Sequence, residues 1–96
     1  MLINGTAAML KNLKTGRWHP IIFEEYPFHS ETSLVRMKSC GHHTKGFDKR
    51  EDAVNSFSDE QKKDFVRILM DEDIPWDGEG TPAMVGFLSN EKLVFL

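Results

Sequence analysis

The sequence predicts a small α+β domain: an antiparallel sheet of three to four strands, two or three helices packed on one face, and a C-terminal strand. In residues 1–47 the apolar side chains alternate, or occupy both faces, as they do in strands. In residues 48–72 they recur at helical spacing behind residues that commonly cap helices. The chain has 96 residues, a length typical of one domain, so we expect a single α+β domain over residues 1–96.

The segment Gly16–Glu25, GRWHPIIFEE, is the densest run of large apolar side chains, and we expect it to be the central strand. Its Pro20 has no N–H for a ladder, which favours a bulge or the start of pairing at that residue. Ala7–Lys14 alternates weakly and fits a preceding strand. The turn residues Lys14-Thr15-Gly16 would join the two strands as a hairpin.

A loop at Tyr26–Thr32 should lead to a third strand at Leu34–Cys40. The third strand alternates between a buried face and a basic outer face. The buried pair is Val35 and Met37, and the outer pair is Arg36 and Lys38. A short fourth strand at His42–Phe47 is expected to complete the sheet.

Two helices are expected next. Asp48 with Glu51 forms an N-cap pattern for a short helix over 49–57, and Ser58 with Gln61 forms a capping box for a longer helix over 59–72. An acidic loop covers 71–80. Thr81-Pro82 then favours a short helix over 82–88, although a strand there fits nearly as well because Gly86 weakens a helix. The apolar end, Leu93–Leu96, is expected to be the last strand.

The formal net charge of −3 conceals an uneven distribution. Residues 1–50 carry eight basic and four acidic side chains, and residues 51–96 carry four basic and eleven acidic ones. Opposite charge on the two halves favours an anionic partner or self-association, although it is also the ordinary result of solvated surfaces. Cys40 is the single cysteine, which excludes an internal disulfide and fits a reducing cytoplasm. No signal peptide or membrane-spanning segment is expected.

Cys40-Gly41-His42-His43 is the run of residues most suggestive of a metal site, and His19 or His29 could join it. In an extended strand Cys40 and His42 share one side while His43 lies on the other, and no paired C-x-x-C occurs. We therefore predict no metal, although binding by Cys40, His42 and His43 remains open. Phosphate-loop, dinucleotide and nucleophile-elbow motifs are also missing. We predict no catalytic residues, no cofactor and no enzyme activity.

The alternative function is nucleic-acid binding through the basic N-terminal sheet. A sheet backed by a helix can place cationic side chains on phosphates, and the predicted contacts are Arg17, Arg36, Lys38 and Lys45. Two observations oppose it. The net charge is negative, and affinity for nucleic acid depends largely on neutralising phosphates. In an extended strand, Arg17 and the aromatic Trp18 also point to opposite faces.

Two resemblances follow from these segments. GRWHPIIF (16–23) and KSCGHHTKGF (38–47) resemble segments of a group of small uncharacterised bacterial proteins, which implies no known activity. GFDKREDA (46–53) resembles the sheet-to-helix junction of the AP2-like arm domains of phage integrases, which implies DNA binding through the sheet; the acidic C-terminal half departs from that family. The leading expectation is a small cytoplasmic bacterial protein without catalytic activity that binds another protein or a second copy of itself.

Overall fold

Strands make up most of the regular secondary structure of the protein. The structure is a computed structural model, and it describes residues 5–29, 32–38, 41–90 and 92–96. The strands are β1 (Gly5–Asn12), β2 (Trp18–His29), β3 (Thr32–Met37), β4 (Phe65–Trp76), β5 (Val85–Ser89) and β6 (Lys92–Phe95). Two short helices, α1 (Arg50–Val54) and α2 (Asp59–Asp64), connect β3 to β4. In the described ranges no helix is long and apolar enough to cross a membrane.

All six strands form one mixed sheet in the order β4-β1-β2-β3-β5-β6. β1 and β4 run parallel, and the other neighbouring pairs are antiparallel. The sheet curls so strongly that Ile74 of β4 and Leu93 of β6, from its two opposite edges, pack on the same core. The six strands therefore form a barrel-like sheet that is nearly closed. Side chains fill its interior, as they do in small barrels.

Alternation along the strands separates two cores. The interior core consists of buried residues from β1 to β5, with Leu93 of β6 packed against them; its members are Ala8, Leu10, Ile21, Phe23, Val35, Ile74 and Leu88. The residues between them on β1 face outward, where they pack beneath the helical connection; this outer core contains Ala7, Met9, Ala53 and Met70. The helices thus cover one outer patch of the barrel and do not form a layer across the whole sheet.

The expected fold class, an antiparallel sheet with two or three helices packed on one face, is therefore wrong. The largest error is the helix predicted over 59–72. Its capping box is present, since Ser58 and Gln61 exchange hydrogen bonds, but α2 ends at Asp64 and the chain continues as β4. Every residue of β1 is buried or half-buried, so the backbone groups of β1 that face away from β2 need a partner, and β4 supplies it.

Pro20 does not lie at a bulge. It pairs with Met9 in the regular β1–β2 ladder. Asn12 donates its N–H to the carbonyl of Arg17, so these two residues form a hydrogen-bonded pair of the ladder. Bonded and non-bonded pairs alternate along an antiparallel ladder, which makes Met9–Pro20 a non-bonded pair. The nitrogen of Pro20 therefore points away from β1. On that side β3 pairs with β2 only from Phe23 onward, so no donor is needed at Pro20. The expected hairpin turn is present, and Gly16 within it has φ of 75°.

Several boundaries differ from those expected. The loop predicted at Tyr26–Thr32 is wrong, because β2 continues to His29 and β3 begins at Thr32. In β3 the predicted alternation is confirmed: Val35 is buried, whereas Arg36 and Lys38 are exposed. Cys40, the expected end of that strand, lies outside the described residues. No strand forms over His42–Phe47, where the chain turns and makes a single bridge, from Phe47 to Trp18.

The remaining corrections concern the helices. α1 is shorter than predicted, and it begins after Lys49 with no side-chain cap. Asp48, the expected cap, pairs instead with Arg17 at 3.0 Å. The helix favoured over 82–88 is wrong, and the alternative strand is right: β5 begins at Val85. Gly86 is buried inside the barrel opposite Phe95, where a Cβ would lie 2.4 Å from the carbonyl oxygen of Val94. The glycine lets β5 and β6 approach closely.

Candidate functional site

The gap between β4 and β6, which we call the seam, forms a groove on the described surface. No ladder joins these two edge strands within the described ranges. The seam has a volume of about 470 Å³. Its apolar side chains are Leu69, Ile74 and Pro75 from β4 and Leu93 and Phe95 from β6. The seam thus opens directly onto the apolar interior of the barrel.

Strand β6 presents free backbone groups to the seam. The N–H of Leu96 donates to the carbonyl of Val85, which places Leu96 at a bonded position of the β5–β6 pair. Bonded and non-bonded positions alternate in an antiparallel pair, so Leu93 and Phe95 direct their N–H and C=O groups away from β5. An edge of this kind is a template for another strand.

The apolar surface continues beyond the seam toward the chain end. A second groove of about 220 Å³ shares Ile74 and Phe95 with it and extends to Met84 and Leu96. Phe95 and Leu96 are 41% and 81% exposed. Because large apolar side chains concentrated in one exposed region commonly mark an interaction site, this end of the barrel is the candidate docking surface.

Acidic side chains border the β4 side of the seam. Asp71 and Glu72 are exposed and line the groove. Asp73 also lines it, but its carboxylate accepts hydrogen bonds from Arg50 (2.7 Å) and Trp18 (3.1 Å) on the outer face. Burial by itself raises the pKa of Asp73, but these hydrogen bonds and the charge of Arg50 outweigh it, so the pKa lies below its usual range. Asp71 and Glu72 form no ion pair within the described ranges, so they supply negative charge at this border, while Lys92 of β6 also lines the groove.

A separate pocket of about 400 Å³, which we call the histidine pocket, lies at the end of the barrel beside the β1–β2 turn. Its lining includes Asn12, Arg17, His19, His42, Lys45 and Trp76. The turn segment 41–47 brings His42 next to His19, although the two are 23 positions apart in the chain. The histidine pocket combines two imidazoles with two cationic side chains.

The candidate metal ligands are only partly brought together. His42 and His43 have ring centroids 5.5 Å apart, and His42 shares the histidine pocket with His19. Cys40 and the side chain of His29 lie outside the described residues. Among the residues that the structure does describe, no group of three or more His, Cys, Asp or Glu side chains is placed to hold a metal ion.

The four predicted nucleic-acid contacts fall into two groups. Arg17 and Lys45 border the histidine pocket. Arg36 and Lys38 lie on the outer side of β3, where both pair with Glu24, at 3.5 and 3.7 Å. A hydrogen bond from Tyr26, together with these two cations, lowers the pKa of Glu24. Three of the four cations thus have carboxylate partners, because Arg17 pairs with Asp48.

Sequence reasoning missed the seam because its walls come from two segments assigned to other structures. Leu69 lay in a predicted helix and Ile74 in a predicted loop, so their common border with β6 was hidden. One signal was present: Leu93–Leu96 is four apolar residues in a row, which is more than one buried face of an edge strand requires. Comparisons of the chain with protein-family models, with curated proteins and with solved structures give no match.

Proposed function

We propose that the protein is a non-catalytic interaction module that binds an extended segment of another protein in the seam, as a strand added to β6. The observation that carries the proposal is the free edge of β6, whose Leu93 and Phe95 offer backbone donors and acceptors beside an apolar groove. Strand addition of this kind gains affinity from main-chain hydrogen bonds and specificity from alternate side chains. The added strand would occupy the gap in the barrel.

The chemistry of the groove defines the partner. In an added strand, side chains alternate between the barrel interior and the outside. Inward side chains would meet Leu69, Ile74 and Phe95 and must be apolar. The exposed carboxylates of Asp71 and Glu72 line the groove, and Lys92 is the one cation among the described lining residues, so Lys or Arg is favoured at the polar positions of the partner. The partner is therefore an extended segment in which apolar and basic residues alternate.

A peptide titration tests this proposal. The ¹⁵N-labelled protein is titrated with an eight-residue peptide that alternates Val and Lys, while amide chemical shifts are followed by NMR. We expect saturable shifts that include the amides of Leu93 and Phe95 and the β4 wall at Leu69. A peptide with Glu in place of Lys should bind more weakly, because its charge repels the acidic border. A peptide N-methylated at alternate residues should also weaken, because it cannot complete the ladder.

Charge-neutralised variants provide the matched control. Asp71→Asn with Glu72→Gln should weaken the Lys peptide by about three- to tenfold, since each exposed ion pair contributes up to roughly 1 kcal/mol. Glu51→Gln with Asp52→Asn removes two exposed charges from α1, away from the seam, and should leave binding unchanged. Equal weakening by both pairs, or shifts that avoid β6, would contradict the proposal.

A second copy of the chain is the competing occupant. Sedimentation velocity at low and high salt separates the two cases. A monomer at all salt concentrations agrees with a separate partner. A dimer whose formation perturbs the amides of Leu93 and Phe95 would show that the strand bound in the seam comes from a second copy of the chain. The opposite charges of the two halves of the sequence favour such self-association.

Nucleic-acid binding has weaker support, because three of its four candidate cations are paired with carboxylates. A titration with mixed DNA and RNA at two salt concentrations tests it, and no binding at low salt would exclude it. We further propose a cytoplasmic location. Its support is the single cysteine, which suits a reducing compartment because it forms no disulfide within the chain.

A further inference from the structure

The histidine pocket contains buried imidazole nitrogens that have no partner. His19 is 2% exposed, and its ring packs edge-on against Trp76 with centroids 5.6 Å apart. The Nε2 atom of His19 and the Nδ1 atom of His42 are both buried without a hydrogen bond to any described group. Buried polar atoms are nearly always bonded, so two such atoms at one pocket point to a ligand.

The protonation of His19 follows from its other nitrogen. Nδ1 lies 3.1 Å from the carbonyl oxygen of Gly41. A carbonyl only accepts, so Nδ1 carries a proton and donates it. In the neutral ring Nε2 then holds a lone pair, and in the charged ring it holds a second N–H. A ligand at Nε2 must therefore share one proton with the ring, either by donating its own O–H or by accepting from an imidazolium.

His42 adds a second polar contact of the same kind. Burial, and then the charges of His43 and His19, lower the pKa of His42. The ring is thus neutral near pH 7 in the unliganded protein. Its Nδ1 can accept or donate a hydrogen bond, according to which nitrogen holds the ring proton.

The charge around the pocket selects an anion. Arg17 and Lys45 line it, and no Asp or Glu is among the described lining residues. Asp48 pairs with Arg17 at 3.0 Å, but its side chain is 79% exposed and lies outside the lining. Lys45 forms no ion pair within the described part of the chain. These two positive charges would repel a metal cation, whereas they would attract an oxyanion.

We propose that the histidine pocket binds a phosphate group, with an anion oxygen at Nε2 of His19 and Nδ1 of His42 and its charge facing Arg17 and Lys45. Arginine and lysine are the usual protein cations at phosphate oxygens. The volume of about 400 Å³ lies within the range of small-molecule sites, about 300–1,000 Å³. The pocket therefore has room for a phosphate and for the small group attached to it.

The shared proton gives this site a distinctive pH dependence. Inorganic phosphate keeps an O–H throughout the neutral range and can donate to the neutral His19 ring. Sulfate has no O–H, so its binding requires a protonated imidazole and must take up a proton. The affinity for sulfate should fall as the pH rises from 6 to 8, by at most about tenfold per unit, while the affinity for inorganic phosphate changes less. The other ionisable groups at the rings are Arg17, Lys45 and His43.

Calorimetric titration of the whole chain with inorganic phosphate, and separately with sulfate, at pH 6 and pH 8 tests the site. We expect saturable phosphate binding with a dissociation constant of about 1 mM or tighter. Bound phosphate should move the NMR signals of the His19 and His42 ring nitrogens. Equal pH dependence of the two anions, or movement of exposed residues alone, would overturn the proposal.

Variants that do not disturb the barrel interior localise the binding. His42→Asn should weaken the affinity for phosphate by about tenfold or more, because a hydrogen bond to a charged group is lost. Lys45→Ala should weaken it by about three- to fivefold. Lys49→Ala is the matched control, since Lys49 is exposed in the same connection but does not line the pocket. If Lys49→Ala weakens binding as much as Lys45→Ala, the interaction is non-specific attraction and the proposal is wrong.

Three further ligands separate the sources of the phosphate. Ribose 5-phosphate tests a phosphate monoester, and a short oligonucleotide tests phosphodiesters. We expect the monoester to bind. Its affinity at pH 8 should be lowered as that of sulfate is, because the monoester dianion has no O–H. Binding of the oligonucleotide alone would overturn the proposed monophosphate site. Zn²⁺ tests the cation: ring shifts with Zn²⁺ and none with phosphate would show that the pocket is a metal site instead.

Discussion

Gly41 holds the turn segment 41–47 against β2, and replacing it should be far more damaging than replacing another glycine of the same backbone type. Gly41 has φ of 90° and Gly16 has φ of 75°, so both occupy the left-handed region. A Cβ on Gly41 would lie 2.0 Å from the carbonyl oxygen of Pro20, whereas a Cβ on Gly16 would meet nothing within 4 Å. Gly41→Ala and Gly16→Ala therefore share a backbone penalty and differ only in the collision.

The expected magnitudes follow from these two terms. An L-residue in the left-handed region costs about 1–2 kcal/mol, and alanine recovers about 0.4–1 kcal/mol by restricting the unfolded chain. Gly16→Ala should therefore lower the free energy of unfolding by roughly 1 kcal/mol or less. For Gly41→Ala the backbone must also move, and overpacking of this kind typically costs about 1–3 kcal/mol. We expect a total loss of about 2–4 kcal/mol.

Urea unfolding followed by tryptophan fluorescence measures both variants. A second readout is the His19 ring, because movement of Gly41 would remove the carbonyl that accepts its Nδ1–H. We expect the His19 ring signals to change in Gly41→Ala and to stay unchanged in Gly16→Ala. Equal losses of stability in the two variants would show that the turn segment does not lie on β2 as described.

Three further predictions concern the core, an acidic group and an interior ion pair. Phe23→Ala should cost about 3–5 kcal/mol in urea unfolding, since Phe23 is fully buried, whereas the exposed Leu13→Ala should cost less than about 0.5 kcal/mol. The lowered pKa of Asp73 means that the unfolded chain binds more protons. Stability should therefore decline as the pH falls below about 4, and Asp73→Asn should flatten that decline. Arg67→Met should lower the free energy of unfolding by about 2–4 kcal/mol, because the carboxylate of Glu25, 6% exposed, loses its ionic partner. The double variant Arg67→Met with Glu25→Gln should be more stable than Arg67→Met alone; equal stability would show that the ion pair does not contribute to folding.

The sequence predicted local features better than it predicted the sheet. The alternation of β3 and the Ser58–Gln61 capping box are visible because each depends on residues a few positions apart. The partnership of β1 with β4 depends on segments 60 or more positions apart, and it converts residues 65–72, with their helical spacing of apolar side chains, into a strand. Tertiary pairing overrides local propensity here because β1 would otherwise bury unpaired backbone groups.

The candidate sites could be predicted only in part, for the same reason. The sequence marked His19 and His42 as candidate metal ligands, but their meeting in one pocket depends on the turn segment folding back beside β2. The phosphate proposal uses Arg17 and Lys45 from the four cations first considered, and it leaves Arg36 and Lys38 to their ion pairs with Glu24. The seam could not be predicted, because a gap between two edge strands exists only once the strand order is known.

Amide hydrogen exchange along β6 tests the open seam most directly. In the free protein the amides of Val94 and Leu96, which face β5, should exchange slowly, and those of Leu93 and Phe95, which face the seam, should exchange fast. Saturation with the Val/Lys peptide should protect the amides of Leu93 and Phe95 from exchange, so that all four amides then exchange slowly. Slow exchange of all four amides in the free monomer would show that the seam is already closed, and it would contradict both the edge and the proposed binding mode.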